Sequence, residues 1–402
     1  MRYIVLIMDG AAGLPIQERG GKTSLELAHT PNLDAMTKEG ALGLARTVPE
    51  GMEPSSACAC MSVIGYDPVK YYKGRASIEA KSLGIDIGPG EVVFRCNLVN
   101  IKDGKMKDYS AGHISSPEAA EIIKSLNAEL GSDEIKFYPG VGFRNILKIK
   151  GHEETLKAQC APPHDIPGQP VKGFLPRGAG SDLLLDLMRR SETLLKSHKI
   201  NEKRLKRGEL SANIIWLFWG SGQVPAIPDF KQAYNLKAAM TSGVDLLRGF
   251  AKMAGMTVLE IKGVTDLLDS DNIAQVKGAL DALKKHDLVI IHIEAPDEAG
   301  HGGHVEEKIK AIENIDRDVV AQIRNYIYPE SNRGANDLRV LVMPDHPTPI
   351  PTRTHNPDPV PFLLWGKGIN PNGAARFTEA EAKKTGVFVA EGYKIMSKLV
   401  GK

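Results

Sequence analysis

Residues 287–301 read Asp287-Leu288-Val289-Ile290-Ile291-His292-Ile293-Glu294-Ala295-Pro296-Asp297-Glu298-Ala299-Gly300-His301. A short run rich in Leu, Val and Ile suits a strand buried on both faces. Asp297 and His301 follow just beyond it. The same arrangement recurs twice. Residues 3–8 form an apolar run closed by Asp9 and Gly10, and residues 338–343 lead into Pro344-Asp345-His346-Pro347-Thr348-Pro349. His355 lies one short loop further on, before another apolar run at 360–365. Helical patterns separate these runs. A helix opens with Thr30 as cap and Pro31 in its first turn and ends near Gly40. Others are predicted over 240–253, 270–285 and 306–326, with a strand at 257–262. A last helix over 379–399 is interrupted near Gly386, and Thr378 and Glu381 have capping-box spacing at its start. Buried strands alternating with helices predict an α/β core: a mostly parallel sheet with helices on both faces. Ligands bind beyond the carboxyl ends of such strands, so the Asp and His residues converge on one crevice. Carboxylate oxygens and imidazole nitrogens are ligands for divalent Zn or Mn.

The middle of the chain differs. Residues 92–105 and 134–151 read as strands around turns, with a helix over 118–130 between them. Residues 161–180 are rich in Pro and Gly, and 181–205 read as helix. Strands followed by helices suggest an α+β insertion. The expected organisation is a core of residues 1–69 and 213–402, split by an inserted domain over 70–212.

The 402 residues carry 51 Lys+Arg against 49 Asp+Glu, a net charge of +2. That balance argues against nucleic acid or a membrane surface as the main partner. No apolar run approaches the ~18–20 residues of a bilayer span. The run at 4–8 is too short for a signal-peptide core and has no small-residue cleavage site after it. Cys58, Cys60, Cys96 and Cys160 form neither a C-x-x-C pair nor a secreted-scaffold spacing, which fits reduced thiols in a cytoplasm.

Residues 53–61, Glu53-Pro54-Ser55-Ser56-Ala57-Cys58-Ala59-Cys60-Met61, suit a loop entering a helix. The helix N-terminus offers amide N–H groups to an anion. A serine there, beside a metal, is a nucleophile for phosphorus. An ordinary serine N-cap fits the same spacing, which does not choose between Ser55 and Ser56. Cys58 and Cys60 are further nucleophile candidates, although buried small hydrophobes are commoner.

Several segments together resemble the archaeal-type cofactor-independent phosphoglycerate mutases of the alkaline phosphatase superfamily. They are Met8-Asp9-Gly10, Gly20-Gly21-Lys22-Thr23, Thr30-Pro31-Asn32-Leu33-Asp34, Ile64-Gly65-Tyr66-Asp67-Pro68, Tyr72-Lys73-Gly74-Arg75, Phe94-Arg95-Cys96-Asn97, Ala299-Gly300-His301, Asp345-His346-Pro347-Thr348-Pro349 and Asp358-Pro359-Val360-Pro361. The resemblance implies an alkaline-phosphatase-like core and two divalent ions, Mn²⁺ or Zn²⁺ foremost, with Mg²⁺ and Co²⁺ as alternatives. Asp9, Ser56, Asp345 and His346 would hold one ion; Asp297, His301 and His355 would hold the other. Ser56 would become a phosphoserine as 3-phosphoglycerate and 2-phosphoglycerate interconvert. The substrate class is a small phosphorylated anion.

Two segments depart from the family pattern. The nucleophile segment usually reads G-S-D-x-A-[HN]-L; here the acidic position is Ala57 and the His/Asn position is Cys60. An Arg-bearing D-R-x-A-G-R-like segment is replaced by Asp108-Tyr109-Ser110-Ala111-Gly112-His113, which is closer to a branch proposed as homoserine kinases. Arg75, Arg95 and Arg144 remain as candidate anion ligands, with a surface or interdomain salt bridge as the alternative for each and Arg95 expected to face solvent in an open state; His113 and His164 are weaker candidates. Two other readings follow: a homoserine-kinase-like phosphotransferase using the same serine, and a non-catalytic metal-binding homologue. The presence of all seven presumed metal-site residues argues against the last.

Overall fold

The computed structural model describes residues 1–223, 226–327 and 337–402. The chain divides into two units, Met1–Tyr72 with Ala226–Lys402, and Lys73–Pro225.

In the first unit, Arg2–Met8 is an interior strand of an eight-stranded sheet. It runs parallel to Leu288–Ile293 on one side and to Leu338–Met343 on the other. Residues at both alternating positions of these strands are buried, so both faces of the sheet are covered. Ala238–Thr241 and Thr257–Val258 extend the parallel array. Val360–Gly366 pairs antiparallel with Leu338–Met343 and with Ala41–Ala45, and Phe388–Val389 closes that edge in parallel. The sheet is therefore mixed and mostly parallel.

Register places the site. Met8 is level with Ile293, Ile7 is level with Met343, and the Asp9 amide donates to the Ile293 carbonyl at 2.9 Å. Three chain segments thus leave the sheet at the same end, about 4.8 Å apart from strand to strand.

Local expectations differ from the structure in four places in this unit, and in the other the helix expected over 181–205 is two, Ser181–Leu195 and Lys199–Lys206. Residues 240–253 are not one helix: Ala238–Thr241 is a strand, and the helix is Asp245–Met253. Four residues are too few for periodicity to separate the two. Only Thr257–Val258 of the 257–262 run is strand. The last predicted helix is Glu379–Lys384, then the strand Phe388–Val389, then a helix Ile395–Val400, with Gly386 at φ +69° at the break. Thr30 does not cap Pro31–Glu39. Its hydroxyl is buried without a partner, and Asp316 accepts from the Leu33 and Asn32 amides instead, at 2.7 and 3.3 Å. Asp316 begins a π-helical turn, Asp316–Val320, between the helices Val305–Ile315 and Ala321–Ile327.

The second unit is built on an antiparallel sheet. Glu91–Lys102 pairs with Lys105–Asp108, with Arg144–Lys150 and with Ile214–Ser221, and Ile135–Val141 pairs with Arg144–Lys150. Ile214–Ser221 explains why the second boundary falls near residue 225 rather than 212: its partner strand lies in this unit. Helices Ser116–Leu130 and Ser181–Leu195 bury Ile122, Leu126, Leu184 and Leu187 in one core with Phe94, Leu147 and Trp216. In a separate cluster, Ala76 and Ala80 of the helix Arg75–Ser82 pack with Val93 and Ile146. The same helix carries Glu79 to Arg95, and both side chains are almost fully buried. Burial opposes ionisation of Glu79, but the charges of Arg95 and then Arg75 outweigh it and hold the carboxyl below its ordinary value.

Glu79→Gln should destabilise the protein by roughly 3–5 kcal/mol, because it leaves buried guanidinium charge uncompensated. The pair's contribution is present above the ordinary glutamate value and is lost as pH falls through the lowered one. Denaturant midpoints of the two proteins should therefore converge on acidification. Equal midpoints at neutral pH would contradict this account.

Candidate metal centre and active site

The three strand ends deliver two adjoining clusters. Asp9, Asp345 and His346 are each 0% exposed, and their donor atoms lie within 4.8 Å of one another. His346 Nε2 is 3.3 Å from Asp345 Oδ2 and 3.6 Å from Asp9 Oδ1. Asp345 Oδ1 is fixed by the amides of Gly10 and His346, at 3.2 and 2.8 Å. Asp297 and His301 sit four residues apart on the helix Ala295–Gly302, so they share a face. With His355 they form the second cluster. His301 Nε2 is 3.2 Å from Asp297 Oδ2 and 3.0 Å from His355 Nε2.

Outer contacts aim these rings. His301 Nδ1 lies 3.0 Å from the Arg353 carbonyl, which can only accept, so Nδ1 carries the proton and Nε2 faces the cluster. Thr348 does the same for His346 and links the clusters. Its hydroxyl donates to Asp297 Oδ1, so its oxygen accepts from His346 Nδ1 at 3.2 Å. His346 Nε2 is thereby left as a donor atom for a cation. Gly10 permits the close approach. Its φ is +60°, and a Cβ there would sit 2.7 Å from the Asp297 Cα.

The electrostatics fit a cation. Burial, then the charges of Asp345 and Asp297, push the Asp9 carboxyl well above its ordinary range. Its Oδ1 is buried with no hydrogen-bond partner. Burial also raises Asp297, but its bonds to His301 and His355 outweigh that and hold it well below the ordinary range. Burial pulls His346 down to about 4, despite the opposing charge of Asp345. A neutral His346 imidazole and carboxylates around an unsatisfied oxygen are a divalent-ion donor set.

The loop before the helix Ser56–Val63 separates the two serines. Ser55 is the N-cap, accepting from the Cys58 amide at 3.3 Å. Ser56 is the first helical residue, 6% exposed, and its Oγ lies 3.1 Å from His346 Nε2. The hydroxyl beside the clusters is therefore that of Ser56.

Comparison with known proteins gives the family. A profile of the 2,3-bisphosphoglycerate-independent phosphoglycerate mutases matches residues 37–201. A mutase of that name from Methanothrix thermoacetophila is 46% identical over 400 residues, covering 100% of both chains. The chain belongs to this family.

A probable mutase of the same name from Geobacter sulfurreducens is 43% identical, again with 100% of both chains covered. A solved protein from Pyrococcus horikoshii shares the fold with a TM-score of 0.81 at 26% identity, over 100% of this chain and 97% of that one. The cofactor-independent phosphoglycerate mutase from Thermoplasma acidophilum has the same fold, with a TM-score of 0.62 at 24% identity, over 100% and 99% of the two chains. Among the described residues, no helix of this mutase-family protein is long and apolar enough to cross a membrane.

The anion ligands expected in the second unit behave differently from one another. Arg75, Arg95 and Arg144 all act on Glu79. Arg95 is 5% exposed and ion-paired to Glu79, which corrects the expectation that it faces solvent. Its Nε and the Oδ1 of Asn97, two residues along the same strand, are buried without partners. Arg75 stacks on Trp219 at 4.5 Å, and His164 packs on the same ring at 5.2 Å. Trp219 sits at φ +49° where the strand register shifts, a bulge that re-aims its ring. His113 is itself exposed at the end of the 108–113 turn, where its amide donates to Ser110 Oγ at 3.0 Å.

Sequence reading missed Thr348 as the link between the clusters, although the residue lies inside a quoted motif. It also missed His292, which touches Asp9 Oδ2 at 2.8 Å from inside a buried strand. A polar residue within an otherwise apolar run was the available signal. Thr348→Val removes only the linking hydroxyl and should lower divalent-ion affinity by about 10–100-fold. Calorimetric titration of metal-stripped protein checks this; unchanged affinity would show that Thr348 does not orient the ligands.

Proposed function

We propose that the protein interconverts 3-phosphoglycerate and 2-phosphoglycerate, without nucleotide, through a phosphoserine on Ser56. The observation that carries this reading is the Ser56 hydroxyl, 3.1 Å from His346 at the start of a buried helix, beside two adjoining Asp/His clusters. Asp9, Ser56, Asp345 and His346 are assigned to one divalent ion, and Asp297, His301 and His355 to the other. Mn²⁺ or Zn²⁺ suits this mixed oxygen and nitrogen set, with Mg²⁺ and Co²⁺ as alternatives. When bound, the ions lower the serine hydroxyl's pKa and neutralise charge on the phosphoryl oxygens.

The residues then divide the work. Ser56 Oγ bonds to phosphorus as the bond to the substrate's C3 oxygen breaks, and the serine proton ends on that oxygen. The helix N-terminus offers amide N–H groups to the transferred anion. In the return step the C2 oxygen takes the phosphoryl group, and its proton goes back to Ser56. Glycerate must stay bound and water excluded between the two steps, or the enzyme becomes a phosphatase. We assign substrate anion binding to the inserted unit, through Arg75, Arg95 and Arg144, with His164 beside them. Three guanidinium groups around one carboxylate, with Arg95 Nε unpartnered, support that role. The four free cysteines fit a cytoplasmic location.

The test is a quenched reaction of metal-loaded protein with 3-phosphoglycerate, followed by mass spectrometry. Phosphate is expected on Ser56, and Ser56→Ala should abolish turnover while keeping the fold. Ser55→Ala should keep turnover and lose about 1 kcal/mol of stability as a lost N-cap. A parallel arm with ATP and homoserine should consume no ATP. Phosphate trapped on Ser55 would overturn the serine assignment, and ATP consumption that depends on homoserine would favour the kinase-like reading.

A further inference from the structure

We propose that Cys60 is an additional ligand of the ion assigned to Asp9, Ser56, Asp345 and His346, giving that site a thiolate donor. The inference rests on the two-ion reading above. Cys60 lies four residues beyond Ser56 on one helix, so both side chains leave the same face. Its Sγ is 3.2 Å from Asp345 Oδ2, and the residue is 0% exposed. Sγ also lies within 4.8 Å of donor atoms of Asp9 and His292, which form a triad with it. Asp9 belongs to the triad with Asp345 and His346 as well, so the thiol shares both carboxylates with the first cluster.

A second observation points to a ligand at this spot. Asp9 is wholly buried, its Oδ2 is engaged by His292 at 2.8 Å, and its Oδ1 has no hydrogen-bond partner. The other cysteines have no such surroundings. Cys58 faces the Met52 sulfur at 3.9 Å, and Cys160 faces the Ala158 carbonyl at 3.8 Å. Cys96 is buried in the apolar core of the second unit.

The chemistry is a simple exchange. The Cys60 S–H bond breaks, its proton passes to solvent, and a sulfur–metal bond forms; nothing changes oxidation state. A soft thiolate favours Zn²⁺ or Co²⁺ over Mg²⁺. The first cluster would then prefer such ions more strongly than the all-oxygen-and-nitrogen second cluster does.

Co²⁺ is the probe. Metal-stripped protein is titrated with Co²⁺ while bound cobalt is counted and the absorption spectrum is recorded. A sulfur-to-cobalt charge-transfer band in the near ultraviolet is expected in the wild type. It should persist in Cys58→Ala and vanish in Cys60→Ser, with the visible ligand-field bands retained. Bound cobalt without the sulfur band would overturn the Cys60 assignment and leave the two-ion reading standing. No bound cobalt would overturn both. Should Cys60→Ser not fold, Cys60→Ala takes its place, and Cys96→Ala and Cys160→Ala should each keep the band; loss of the band in either of those two would overturn the Cys60 assignment.

Discussion

The carboxylates of Asp9, Asp297 and Asp345 are all nearly or wholly buried where three neighbouring parallel strands end. Taking a carboxylate out of water costs several kcal/mol even after relaxation. Two like charges ~4 Å apart add about 4 kcal/mol of repulsion at an effective dielectric constant of ~20. Such an arrangement needs compensating positive charge or a proton on Asp9, whose carboxyl is pushed well above its ordinary range by burial. The protein supplies part of that charge through His301, raised to about 9 because its bond to Asp297 outweighs burial. It also places Lys308, fully buried and pulled down to about 8 by that burial, near Asp297, Glu379 and Asp9. Asp9 Oδ1 remains without a hydrogen-bond partner, and supplying the remaining compensation is the role proposed for divalent ions.

The same constraint explains the local structure. Parallel register fixes the loops side by side, and the left-handed Gly10 lets the first loop press against Asp297. Lys308 Nζ then ties two of the loops together, donating to the carbonyls of Ala12 and Thr348 at 3.1 and 2.6 Å. Thr348 is held by its backbone from one side and directs His346 and Asp297 from the other. The helix Ser56–Val63 brings two side chains of different character to this frame, a hydroxyl and a thiol. The second unit solves the opposite problem, gathering guanidinium groups around the single carboxylate of Glu79.

Much of this was legible because it is local. Runs at 3–8, 288–293 and 338–343 are strands, and their types and order are carried by short segments with Asp or His directly after them. What the runs do not contain is their pairing partners. Ile214–Ser221 looks like any strand of the core, and only its ladder with Glu91–Lys102 assigns it to the inserted unit. Hydrogen-bond choices between distant residues were equally invisible. Asp316 replaces Thr30 as the cap of a helix more than 280 residues away. The Ser55–Ser56 ambiguity needed a helix start located to a single residue, and the burial of Arg95 needed Glu79 from a different element.

The central claim is that the two Asp/His clusters hold two divalent ions. Anomalous diffraction from crystals of the Mn²⁺-loaded protein tests it most directly. Two peaks per chain are predicted, one among Asp9, Ser56, Asp345 and His346 and the other among Asp297, His301 and His355. A fully loaded crystal with no peak at these residues, or with a single peak at only one cluster, would contradict the account.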